Sequence, residues 1–275
     1  MRRLKTLMLA LLLLGGSGAG TLAASPVLEG HLEQGGLVFG KTAPGTKISL
    51  DGIAVPVGAD GSFLLGFDRD HGPHANLSSV TPDGHAQTET LAIALRDWQI
   101  QRVEGVPPKY VTPPADELAR IQREVALKKA ARPFATKTEY YESGFIWPAT
   151  GRISGVFGSQ RFYNGEPRKP HYGVDVAAPA GTPVVAPADG VVTLARPDMY
   201  FEGGLIFIDH GQGLISVMMH LSKVEVKAGQ KVQKGEKIGA VGATGRATGP
   251  HLHWGMWWRD AHLDPALLVP PMPGK

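Results

Sequence analysis

The sequence predicts an all-β chain with a small N-terminal β-sandwich, a linker carrying one helix, and a larger C-terminal domain of antiparallel β-sheet. Three observations lead there. From Pro26 to Leu95, short alternating apolar runs separated by turn residues recur at roughly ten-residue spacing. One stretch, DELARIQREVALKKAAR, has helical periodicity and lies between proline breaks. From Ile146 onward, short glycine-rich strands return.

At the N-terminus, Arg2, Arg3 and Lys5 precede an apolar run from Leu7 to Leu14 and then small residues to Ser25. This is the layout of an export signal, so residues 1–24 are assigned to a signal peptide and the mature chain is expected in the periplasm, with secretion or an uncleaved N-terminal anchor as the alternatives. The run is roughly half the ~20 residues a spanning helix needs, and no stable membrane insertion is expected after cleavage. Cysteine is absent, which excludes disulfides, thiolate ligands and a cysteine nucleophile. Any metal must therefore use His, Asp or Glu. A formal charge of +3, without a Lys/Arg stripe interleaved with aromatics, gives no sign of nucleic acid.

The first domain, residues 25–96, is read from GLVFG, KISLDG, IAVPV, FLLGF and TETLAIAL as strands, with Ala59-Asp60-Gly61 and Thr81-Pro82-Asp83-Gly84 as turns. His31, His71, His74 and His85 share no ligand spacing and are read as solvated. The linker, residues 97–143, contains the Val-Pro-Pro and Thr-Pro-Pro breaks. Its helix is expected to start at Asp116 and end before Pro133, with Leu118, Ile121 and Val125 on one face, and is read as a packed spacer. The second domain, residues 144–270, includes GLIFIDHG, GLISVMMHL and GPHLHWGMWW. VKAGQKVQKGEKIGAVG is similar to the hammerhead turns of lipoyl carriers, but no lysine stands at an exposed hairpin tip.

Five residues carry the chemistry: His171 and Asp175 in HYGVD, His220 in MMHLS, and His251 and His253 in PHLHW. In an extended chain, side chains two or four positions apart share a face, so His171 can converge with Asp175 on one ion, as can His251 with His253. Leu252 then points into the core. An imidazole and carboxylate set suits Zn²⁺, which in catalytic sites usually takes three protein ligands. His210 and His262 share no spacing with another candidate and are read as structural or solvated.

From about Gly151 to Pro265 the sequence resembles the lysostaphin and LytM type of zinc metallopeptidase. The matching phrases are GRISGVFGSQR, HYGVDVAAPAGTPVVAPADGVV, IDHGQGL, MHLS and GQKVQKGEKIGAVGATGRATGPHLHW. The resemblance implies zinc on His171, Asp175 and His253, with His220 and His251 as catalytic residues flanking a zinc-activated water. It leaves open which of the two is the base. The implied activity is hydrolysis of peptide cross-links in bacterial peptidoglycan, with its peptide stems as partner; a regulatory protein partner stays open.

Two departures from the family pattern are Met218-Met219 before the catalytic histidine and Gly203-Gly204 in the preceding strand. The loop from Ser159 to Pro170 enters just before the first ligand. Arg161 and Asn164 in it are the candidate substrate contacts, with a substrate carboxylate as the partner for Arg161; the alternative is that they are solvated loop residues. The competing reading is a non-catalytic wall-binding regulator that activates an amidase. Relatives of that sort typically lack one or more of the five site residues, and all five are present here.

Overall fold

The computed structural model describes residues 25–104, 113–132, 137–163 and 165–273. The assigned signal peptide, the Val106-Pro107-Pro108 break and Asn164 lie outside the described residues. The N-terminal strands are β1 (Val27–Gly30), β2 (Leu37–Lys41), β3 (Lys47–Leu50), β4 (Ile53–Val55), β5 (Ser62–Gly66), β6 (His74–Val80) and β7 (Ala86–Ala92). They form two antiparallel sheets, β1-β2-β5 and β4-β3-β6-β7, around buried Leu37, Phe63, Leu65, Ile48 and Leu77. Strand β6 falls in the polar stretch that showed no strand signal. Its inward positions are Ala75, Leu77 and Ser79, and a small and a polar residue among the three conceal the alternation.

Next come β8 (Ile100–Val103) and helix α1 (Leu118–Ala130). The C-terminal strands are β9 (Arg152–Gly155), β10 (Gln160–Tyr163), β11 (Glu166–Pro167), β12 (Val174–Ala177), β13 (Pro183–Val185), β14 (Gly190–Met199), β15 (Gly203–Gly211), β16 (Leu214–Leu221), β17 (Lys223–Val224), β18 (Lys231–Val232), β19 (Lys237–Ala240), β20 (His251–Trp258) and β21 (Ala261–Leu263). The main sheet has the order β18-β14-β15-β16-β20-β12-β9, with β21 paired to β20, and every pairing in it is antiparallel. All nine residues of β15 are buried. Ile206 and Ile208 join the large core, while Leu205 and Phe207 join a second cluster with Ile215 and Val217. A strand covered on both faces explains the unbroken apolar run GLIFI.

Strand β8 lies in the stretch read as linker, yet it pairs in parallel with β10, setting Gln101 opposite Arg161. Trp98, just before it, stacks edge-on against Phe157 at 5.8 Å. The segment leaving the N-terminal sheets therefore braces the loop that leads to His171.

The helix is present where the periodicity predicts one, preceded by a 3₁₀ turn at Ala115–Glu117, but its packed face differs. Leu118 and Val125 are 47% and 54% exposed, whereas Glu124 is 8% exposed. Glu124 Oε2 accepts the Tyr200 N–H (2.9 Å), Arg120 Nη2 donates to Asp198 O (3.2 Å), and Lys128 pairs with Glu202. Arg132 lies over the Trp257 ring at 4.4 Å. Periodicity shows which residues share a face, not which face docks. Here a polar stripe docks because its partners satisfy it.

His210 is fully buried, with Nδ1–H donating to Asp189 O (2.7 Å) and Nε2 accepting from Ser216 Oγ (2.8 Å). Burial pushes its pKa down to about 4. The unfolded chain titrates this group near the ordinary histidine value of ~6.5, so between there and about 4 the unfolded state holds a proton that the native state lacks. Stability therefore falls as pH falls through that window. Urea denaturation is expected to show a loss of roughly 2 kcal/mol from this residue between pH 7 and pH 4.5, and a correspondingly shallower loss in His210→Gln.

Candidate metal centre

The register of the main sheet assembles the site. Strands β12 and β20 pair so that Asp175 faces His253 and Ala177 faces His251, which puts the two histidines of H-x-H on the same sheet face as Asp175. Leu252 between them is fully buried. On the other side of β20, Met219 of β16 faces His253, and His220 follows it. His171, four residues before Asp175, comes in from the loop that leads into β12.

His171 Nε2, Asp175 Oδ1 and His253 Nδ1 lie 2.9 Å from one another in a triangle. All three residues are buried. His171 Nδ1–H donates to Val156 O (3.0 Å); a carbonyl only accepts, so Nε2 presents its lone pair to the triangle. Gly173 leaves room for this. A Cβ there would come within 2.6 Å of His253 Nε2 and 2.7 Å of Trp254 O.

His220 and His251 lie beside the triangle, with ring centroids 4.8 Å apart, and His251 Nε2 is 3.8 Å from Asp175 Oδ1. His220 Nδ1–H donates to Thr244 O (2.9 Å) and His251 Nδ1–H to Gly249 O (2.8 Å), which leaves Nε2 of each as the lone-pair nitrogen of the neutral ring. His220 adopts φ +65°, a conformation uncommon outside glycine and a mark of strained functional positions. Its partner Thr244 sits close because Gly203 has no side chain; a Cβ there would meet Thr244 Oγ1 at 2.1 Å. Gly204 N–H also donates to Thr244 Oγ1 (2.9 Å), and a Cβ on Gly204 would meet Leu221 O at 2.3 Å. Gly203-Gly204 is thus the space into which the His220-orienting loop fits.

Burial pushes His253 down to about 4, with Asp175 offsetting part of the effect. His220 falls to about 3, through burial and then the charges of His251 and His253. For Asp175, burial acts upward, but the charge and hydrogen bonds of His171 and His253 outweigh it and hold the carboxyl well below its usual range. At neutral pH the site therefore contains neutral His220 and His253 beside an ionised carboxylate. Three lone-pair atoms converging without a thiolate form the N,O donor set that suits Zn²⁺.

Arg161 Nη2 donates to Asp175 Oδ2 (2.8 Å). Sequence reasoning gave this arginine a substrate carboxylate; in the structure it lines the cleft and is bonded to the outer oxygen of Asp175. Asn164 lies outside the described residues. Among the described residues one other group, Asp60, Glu139 and Glu142, clusters closely enough to hold a cation, but it is largely exposed and Lys41 is paired to Asp60.

A cleft of about 320 Å³ opens over His171, His220 and His253. Its walls include residues that the sequence did not single out. Tyr172 stacks on His262 at 3.8 Å and 18°. His262 is held by Asp68 of the N-terminal domain, whose Oδ2 accepts the His262 backbone N–H (2.8 Å) and contacts Nδ1 (3.1 Å). His262 shares no spacing with another ligand, and a partner 194 residues away leaves no local signal. His31, His71, His74 and His85 do not join the site.

An antiparallel sheet gathers two histidines and an aspartate beside a further histidine pair, and residues 169–265, which hold all five, match the profile of peptidase family M23. A Pseudomonas aeruginosa protein solved by crystallography and assigned to peptidase M23 is 33% identical, over 86% of this chain and 94% of that one, with a TM-score of 0.62. The chain belongs to peptidase family M23. The peptidoglycan DD-endopeptidase ShyA of Vibrio cholerae is 47% identical over 104 residues, which are 38% of this chain and 24% of the relative. An uncharacterized metalloprotease of Haemophilus influenzae is 33% identical over 191 residues, 68% of this chain and 36% of the relative. The matches thus span 24% and 36% of the lengths of these two curated relatives.

Proposed function

We propose that this chain is an exported, zinc-dependent endopeptidase that hydrolyses peptide cross-links of bacterial peptidoglycan in the periplasm. The observation that carries this reading is the 2.9 Å triangle of His171, Asp175 and His253 with the unprotonated Nε2 atoms of His220 and His251 beside it. The name of the V. cholerae relative supports peptidoglycan as the substrate.

Zinc would be held by His171 Nε2, Asp175 Oδ1 and His253 Nδ1, and when bound it supplies a Lewis acid for the scissile carbonyl and lowers the pKa of water toward ~7. The residues around it handle protons and position. His220 and His251 each anchor Nδ1–H on a backbone carbonyl, which fixes the tautomer and aims Nε2 into the cleft. One Nε2 accepts the proton released as water attacks and then delivers it to the leaving amine; the other can steady the negative carbonyl oxygen only as the imidazolium, when its Nε2 also carries a proton to donate. Arg161 holds Oδ2 and so keeps Asp175 turned with Oδ1 facing the two ligand histidines. Arg161→Ala is expected to weaken zinc binding about 10- to 100-fold, as measured by competition with a chromogenic chelator.

The direct test is digestion of purified peptidoglycan by the protein lacking residues 1–24, with and without a zinc chelator, followed by mass analysis of the fragments. Chelator-sensitive loss of cross-linked species is expected. Folded, zinc-loaded protein that leaves every cross-link intact would remove the endopeptidase reading in favour of a wall-binding regulator.

A further inference from the structure

The charged groups of the cleft are unevenly distributed. Arg161, Arg168, Lys169 and Arg246 line it, and the one acid among its described lining residues is Glu202. Glu202 is engaged by Lys128 of the helix, and Arg161 by Asp175. Arg168 and Lys169 come from the loop before His171, and Arg246 from the loop that orients His220, where its guanidinium lies over Phe201 at 4.7 Å.

Hydrogen bonding is unbalanced in the same direction. Among the cleft-lining residues two buried donors, the Nε–H of Arg168 and the Nε1–H of Trp257, have no acceptor among the described residues, against one buried acceptor without a donor, Glu202 Oε2. A buried guanidinium N–H without an acceptor is costly, and the ligand that relieves the cost is an anion able to take charge-assisted hydrogen bonds. Planar carboxylate matches the guanidinium fork best.

Building on the endopeptidase reading, we propose that the cleft selects cross-linked peptides bearing a free carboxylate next to the scissile bond, with Arg168 as the specificity-determining contact and Lys169 and Arg246 supplying the surrounding positive field. Neutral cross-links, such as carboxamide or glycine-only bridges, lack the group that Arg168 requires. The side chains flanking the metal ligands thus divide the work. Arg161 serves Asp175, and Arg168 serves the substrate.

The test uses two synthetic branched peptides of identical sequence, one with free carboxylates beside the scissile bond and one with carboxamides there. With zinc-loaded protein, kcat/KM is expected to favour the carboxylate peptide by about 10- to 100-fold, mainly through KM, and the preference should fall at least about tenfold in Arg168→Gln. Arg168→Lys should recover part of it, which a merely structural role for Arg168 does not predict. Equal rates for the two peptides in the unaltered protein, or an undiminished preference in both Arg168→Gln and Arg246→Gln, overturns the proposal. If neither peptide nor peptidoglycan is cut, the endopeptidase reading fails, and calorimetric binding of the same pair decides the selectivity by itself. Tighter binding of the carboxylate form supports it, and equal affinity overturns it.

Discussion

His253→Ala is expected to yield a protein that retains little zinc after dialysis and has lost peptidoglycan-cleaving activity in parallel, by at least about 10³-fold. The expectation follows from the sheet register. His253 stands opposite Asp175 and supplies Nδ1 at 2.9 Å from both other members of the triangle. Removing it leaves two protein ligands where catalytic zinc usually has three. Metal content by elemental analysis, measured beside activity on the same preparation, checks both parts. Asp175→Ala should behave alike, with the further cost that Arg161 is left without its carboxylate in a largely buried setting.

His220→Ala is expected to do the opposite to metal and the same to turnover. Its imidazole is turned onto Thr244 O and contributes no atom to the triangle, so zinc should remain near one equivalent. Loss of a positioned proton-transfer group should lower kcat about 10²- to 10⁴-fold with KM changing far less. His251→Ala should follow the same pattern. Should His220→Ala and His251→Ala both lose zinc while His253→Ala keeps it, the assignment of ligands and proton carriers would have to be exchanged.

Much of this site was legible in the sequence because its parts are short-range. H-x-H places two histidines on one face of β20, as the period-two geometry of strands requires, whereas H-x-x-x-D converges because His171 stands in the loop before β12, which brings it back to Asp175. The same rule put Leu252 in the core. What the sequence did not disclose has non-local causes. Arg161 meets Asp175 because β10 is paired with β8, a strand hidden in a stretch whose prolines mark a linker. Helix α1 was visible from its periodicity, but its docking through Arg120, Glu124 and Lys128 depends on acceptors and donors some seventy or more residues away. Strand β6 was missed because Ala75 and Ser79 occupy inward positions where alternation is normally read from large apolar residues.

The contact between Asp68 and His262 changes what counts as the enzyme. A wall of the cleft, the Tyr172–His262 stack, is fastened to a side chain that belongs to the N-terminal sandwich. The boundary between the modules therefore runs through the substrate's surroundings and not behind them. A fragment cut to the metal-binding segment keeps every ligand yet leaves that wall free to swing. Exchanging the N-terminal module for another would alter which substrates fit without touching a residue of the metal centre.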